Sequence, residues 1–140
     1  MSSNILVGID GSPQGDHAFA FALELADNTQ GRLHCCAVVY GPDIEMAEAT
    51  EREALVERKR QRMRQHLDGL VERGSRAGFP PEIHLLEGHP VEKLLELSRR
   101  ENIDHIVVGH RSKGLFEQLL MGSVAKRVVD FARCTVTVVR

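Results

Sequence analysis

Tryptophan is absent from the 140 residues, tyrosine occurs once, and aromatic residues make up only 4% of the chain. A surface that stacks the bases of single-stranded nucleic acid needs such rings, so that class of partner has little to work with. No uninterrupted apolar run approaches the roughly 20 residues of a membrane-spanning helix, which argues against a membrane partner. The opening Met1-Ser2-Ser3-Asn4 lacks the basic flank, apolar region and small-residue cleavage site of a secretory leader, so a cytoplasmic protein is expected. A charge excess is missing too: 18 Lys and Arg against 20 Asp and Glu give a formal net charge of -2, which excludes a wholly basic nucleic-acid binder. Cysteine is scarce and odd in number, and Cys35 and Cys36 would face opposite sides of a strand, so no disulfide framework is expected. Neither Cys-x-x-Cys nor His-Glu-x-x-His occurs among the scattered histidines, and no metal site is expected from spacing.

What is present alternates. Ile5 to Ile9 is a short apolar run, broken by Asp10-Gly11-Ser12-Pro13, in which Ser12 is placed to cap a helix with Pro13 at its first position. Ala18, Phe21, Ala22, Leu25 and Ala26 then recur at helical spacing up to Gly31. Leu33 to Tyr40 reads as a second strand closed by Gly41-Pro42. Residues 43 to 78 read as one long charged helix, with Met63, Leu67, Leu70 and Val71 as its apolar stripe. Strands over Glu82 to Glu87, Ile103 to Val108 and Thr135 to Val139 enclose helices over Val91 to Arg100 and Ser123 to Ala132. Five strands separated by four helices describe successive βαβ crossovers. They predict an α/β fold, one open parallel sheet covered by helices on both faces, in a single domain over residues 1–140.

In such sheets ligands sit beyond the carboxyl ends of the strands, where strand order reverses. That directs attention to the residues after Ile9, Val39 and Val108. A P-loop needs Gly-x-x-x-x-Gly-Lys-Ser/Thr and a dinucleotide fingerprint needs Gly-x-Gly-x-x-Gly after the first strand; Gly8, Gly11 and Gly15 supply neither. Gly109 nevertheless ends a strand, and Gly122-Ser123 opens a helix whose backbone N–H groups and dipole could meet an anion. The plainer alternative is a loop glycine followed by an ordinary Ser123 N-cap. Two further stretches carry less. Arg58 to Arg64 holds five basic residues in seven, but on a helix they spread round the circumference and Glu51, Glu53 and Glu57 lie upstream, which favours a solvated face over a nucleic-acid contact. No Ser-His-Asp or Cys-His constellation and no carboxylate pair for acid/base work can be assembled, which disfavours a dedicated enzyme and leaves slow nucleotide hydrolysis as the upper bound.

The segment Gly109-His110-Arg111-Ser112, nine residues from Lys113 to Met121, and then Gly122-Ser123 resembles the Gly-x2-Gly-x9-Gly-Ser/Thr loop of the universal stress protein family. The likeness extends to "ILVGIDGSP", to "EGHPVEKLLELSRRENIDHIVVGHRS" and to the closing "CTVTVVR", so it covers essentially the whole chain; the departure is Ser112 in place of the second glycine. The resemblance implies a Rossmann-like sheet of order 3-2-1-4-5 and a protein that holds ATP, with Mg2+ as its accompanying divalent ion, in a stress-response or regulatory role. By position, Asp10 would meet the ribose, backbone around Val38 and Val39 the adenine, and Gly109, Ser112, Gly122, Ser123 and Val124 the phosphates, with Arg111 and Lys113 as candidates to balance their charge. It also implies a homodimer, which the open edge of the last strand could join. The alternative is a dimeric interaction module that binds no nucleotide and acts through a protein partner the sequence does not name.

Overall fold

The computed structural model describes residues 3–110 and 122–140. Its first strand, β1 (Asn4–Ile9), is apolar without alternation, as a strand buried on both faces must be; Ile5, Leu6 and Val7 are wholly inaccessible to solvent. Ser12 then caps α1 (Pro13–Thr29): its Oγ accepts from the Gly15 N–H at 3.2 Å, and Pro13 needs no partner for a missing donor. The chain continues through β2 (Arg32–Val39), α2 (Pro42–Met46), α3 (Ala49–Arg76), β3 (Glu82–Glu87), α4 (Pro90–Arg100), β4 (His105–Gly109), α5 (Ser123–Phe131) and β5 (Thr135–Val139). All strand pairs are parallel and the sheet order is β3-β2-β1-β4-β5. The expected α/β architecture, with helices on both faces, is therefore the one observed.

Strand alternation divides the core in two. Ile5, Val7, Cys35, Ala37 and Val107 face α1 and α3, while Leu6, Cys36, Ile106 and Val108 face α4 and α5. Cys35 and Cys36 do lie on opposite faces, and all three cysteines are free thiols. Burial pushes the Cys36 thiol up to about 12 and Cys35 higher still, so both behave as small hydrophobes rather than nucleophiles.

Two expectations are corrected. The region from 43 to 78 is not one helix: α2 ends at Ala47, whose ψ of 147° is extended, and α3 begins after Glu48. Ile44 and Val56 share a small core with Val39, and Lys59 pairs with Asp43 at 2.9 Å. On one straight helix those pairs would be separated by about 18 Å and about 24 Å at 1.5 Å per residue. Burying Ile44 over the end of β2 therefore requires the break. In α1 the large core residue is Phe19, under the Arg73 guanidinium, while Phe21 is exposed. Both phenylalanines flank the Ala18–Ala22 line, and alanines give periodicity no means of choosing between them.

Candidate functional site

The order of the sheet reverses between β1 and β4. From β1 the chain winds outward to β2 and β3, whereas from β4 it winds the other way to β5, and in such a sheet this switch point places the ligand crevice beyond the carboxyl ends of β1 and β4. Three walls of that crevice can be described.

The first is the turn after β1. Asp10 Oδ1 accepts from the Ser12 N–H at 2.9 Å and from the Ser12 hydroxyl at 2.5 Å, which fixes the turn that aims α1 away from the sheet. Gly11 sits at φ +84°, a left-handed conformation that a side chain would strain. Asp10 thus has the turn-shaping role the sequence allowed. Its half-buried carboxylate also has Oδ2, to which no hydrogen bond is made among the described residues.

The second wall is the end of β4 with the start of α5. The His110 N–H donates to the Val139 carbonyl at 2.6 Å, extending the β4–β5 ladder one residue, and the His110 carbonyl accepts from the Gly122 N–H at 2.8 Å. Residues twelve apart are thereby brought together at the mouth of the crevice. The plainer sequence reading had Ser123 as the N-cap; instead Gly122 holds that position, with φ -62° and ψ 155°, and Ser123 is the first helical residue. A glycine cap has no side chain to satisfy the first turn, and no side-chain cap bond is formed among the described residues. Lys126 makes the first intrahelical bond, to the Gly122 carbonyl at 3.0 Å, which leaves the Ser123, Val124 and Ala125 donors ahead of it. Gly109 has a packing role: a Cβ there would stand 2.9 Å from Gln14 Cβ and 3.0 Å from the Gln14 backbone. The first turn of α1 can lie against β4 only because that atom is missing. Arg111, Ser112 and Lys113 lie outside the described residues.

The third wall is the end of β2. The β1–β2 register ends at Ile9↔Ala37, so Val38 is the first residue of β2 past the end of β1. The Val39 carbonyl accepts from the Gly88 N–H at 3.4 Å and so points toward β3. Successive residues of a strand turn their backbone groups to opposite sides, so those of Val38 face the crevice and those of Val39 do not. Of the two residues named for an adenine contact, the structure brings Val38 to the site by its backbone. Sequence reading passed over Tyr40 and His89, whose rings lie 5.5 Å apart at the carboxyl ends of β2 and β3, with His89 Nδ1 buried and without a hydrogen-bond partner among the described residues. Their signal was weak, a lone aromatic and a lone histidine just beyond two strands.

A family model described as the universal stress protein family matches residues 1–140. A universal stress protein of Thermus aquaticus is 33% identical over 144 residues, covering 100% of both chains. Among solved structures, UspA from Lactobacillus plantarum superposes with a TM-score of 0.86 at 23% identity, covering 99% of this chain and 97% of that one. A universal stress protein in complex with cAMP gives 0.69 at 24% identity, covering 99% and 96%. One from Archaeoglobus fulgidus in complex with dAMP gives 0.66 at 19% identity, covering 100% and 98%. At these identities the structural likenesses establish the fold.

Proposed function

The chain belongs to the universal stress protein family, and from that premise we propose that it binds ATP in the crevice between β1 and β4 and serves a regulatory or stress-response role in the cytoplasm. The observation that carries this reading is the first turn of α5, which takes no side-chain cap bond among the described residues and is held beside the end of β4 by the bond from Gly122 to the His110 carbonyl. Three backbone donors and the positive end of a helix dipole converge there, the arrangement that favours a phosphate group. Asp10, across the crevice, retains a carboxylate oxygen for a ribose hydroxyl, and the Val38 backbone is turned to meet a base edge. Gly109, Ser112 and the basic pair Arg111 and Lys113 complete the phosphate contacts by position, and Mg2+ would neutralise further phosphate charge. Relatives described as complexes with cAMP and dAMP support an adenine nucleotide as the ligand class. Among the described residues no helix is long and apolar enough to cross a membrane.

Calorimetric titration with ATP and magnesium is the test, using wild type and Gly122→Glu. The φ of -62° at Gly122 is open to any residue, so the variant keeps its backbone while placing bulk and a like charge against the phosphates. Wild type is expected to bind one nucleotide per chain and the folded variant none. Equal affinities would move the phosphates elsewhere. If wild type binds no adenine nucleotide, the second reading, a dimeric interaction module, takes over; the side chain of Ser112 where relatives carry glycine is the feature that favours it.

A further inference from the structure

At the opposite end of the sheet, near the amino ends of the strands, three ligand-type side chains meet. His34 on β2 is cross-strand partner of Glu82 on β3, and Cys36 is partner of His84, so His34, Glu82 and His84 share the sheet face that also carries Cys36 and Leu86. His34 Nδ1 lies 3.1 Å from His84 Nε2 and 3.4 Å from Glu82 Oε2. One donor atom from each residue falls within 4.8 Å of the others. The imidazole rings are stacked, with centroids 5.4 Å apart and planes inclined by 21°. His34 is only 5% exposed, His84 is half-buried and Glu82 reaches solvent.

Two neutral imidazoles and a carboxylate offer more lone pairs than protons at this point. A single His34–His84 hydrogen bond satisfies one pair of nitrogens and leaves the solvent-reached Glu82 carboxylate, 3.4 Å from His34 Nδ1, able to take a cation as its third partner. A cation between the three satisfies all of them. Around a tetrahedral ion with bonds of about 2.0 to 2.1 Å, ligand atoms stand about 3.3 Å apart, close to the two shortest separations observed. The remaining adjustment falls to Glu82, whose exposed side chain is the freest to move. We infer that His34, Glu82 and His84 bind a divalent transition-metal ion, with zinc the ion best suited to two imidazoles and one carboxylate.

Mg2+ is a poor occupant, since it prefers six oxygen ligands. A cleft of about 360 Å³, lined in part by Gly31, Arg32, Phe79 and Pro80, also reaches His34 and Glu82. Three protein ligands leave a fourth position open to water or to a donor from another molecule.

The test is zinc titration of chelator-stripped protein without nucleotide, for wild type, His84→Ala and His34→Gln, together with cobalt substitution. Wild type is expected to bind one zinc ion per chain, to melt at a higher temperature with zinc than without it, and to give a cobalt spectrum with tetrahedral d–d bands and no thiolate charge-transfer band. His84→Ala, altered at a half-buried position on an edge strand, is expected to melt like stripped wild type, to lose the zinc-dependent rise and to bind zinc roughly tenfold or more weakly. Absence of stoichiometric binding, binding unaffected by His84→Ala, or a thiolate band from a cysteine site would each overturn the assignment. Should His34→Gln fail to fold, His84→Ala and the cobalt spectrum decide the matter.

Discussion

Asp10 has one role in the turn and, under the proposed function, a second toward a ligand. Oδ1 is committed to the Ser12 backbone and hydroxyl, which sets the direction of α1, and only Oδ2 remains for a ligand. The residue type was legible because Asp-Gly-Ser-Pro is a turn sequence, and its place at the crevice followed from the end of β1. A different residue-scale effect belongs to His105. Its Nε2 lies 2.6 Å from Thr137 Oγ1, and burial holds its pKa below the ordinary histidine value. The unfolded chain is then the better proton binder, so this contribution to stability is complete above about pH 6.5 and is lost as the pH falls through the lower folded value. Asp43, which its hydrogen bond to Lys59 holds below the usual carboxylate range, gives a slope of the same sign, but only below about pH 4. Melting curves in chelator between about pH 7.5 and about pH 5.5 should therefore show an acid-side loss that is smaller in His105→Gln. Identical slopes for the two proteins would remove His105 as a source.

At the scale of elements, the strands were the most legible part. Apolar runs located the central strands, which a parallel sheet buries on both faces, while the edge strands β3 (EIHLLE) and β5 (TVTVV) are mixed in polarity and were located by their β-branched or apolar residues between turns. Helices were harder. Nothing in Met46-Ala47-Glu48 breaks a helix locally; the break comes from Ile44 reaching Val39 and Val56, a tertiary contact that propensity cannot express. Gly109 shows the reverse case, in which a residue noted as a ligand candidate proves necessary for packing. Adding one methyl at Gly109 drives it into the Cβ and backbone of Gln14, which cannot rotate away as a side-chain tip would. Gly109→Ala is therefore expected to lower stability by about 1 to 3 kcal/mol, in the range of an overpacked core. It should also weaken ATP binding, because α1 and the Asp10 turn must shift away from α5. Urea unfolding monitored by circular dichroism measures the first effect, and a midpoint equal to wild type would show that α1 yields freely.

Across the whole molecule, the sheet order puts the two proposed sites at its two ends. The crevice at the carboxyl ends was legible from topology, while the His34, Glu82 and His84 cluster was not, because its ligands come from strands about fifty residues apart in the chain and meet only through register. The expectation of a dimer likewise rests on the sheet and not on any motif. β5 is an edge strand, and its backbone can be divided by direction: the Val139 carbonyl receives the His110 N–H, so Val139, Thr137 and Thr135 bond toward β4. Val136 and Val138 therefore turn their donors and acceptors outward, where a second copy could pair antiparallel across a two-fold axis. α5, packed beside β5, adds exposed apolar side chains at Val129 and Phe131. Val136→Pro removes one outward N–H without touching the ladder to β4, and proline is tolerated on an edge strand for that reason. If β5 joins the protomers, wild type should sediment as a dimer at micromolar concentration, and the variant should sediment as a monomer with an unchanged circular dichroism spectrum. A monomeric wild type, or a variant that remains fully dimeric, would place the contact elsewhere or remove it, since neither result can coexist with reciprocal pairing through the outward groups of Val136.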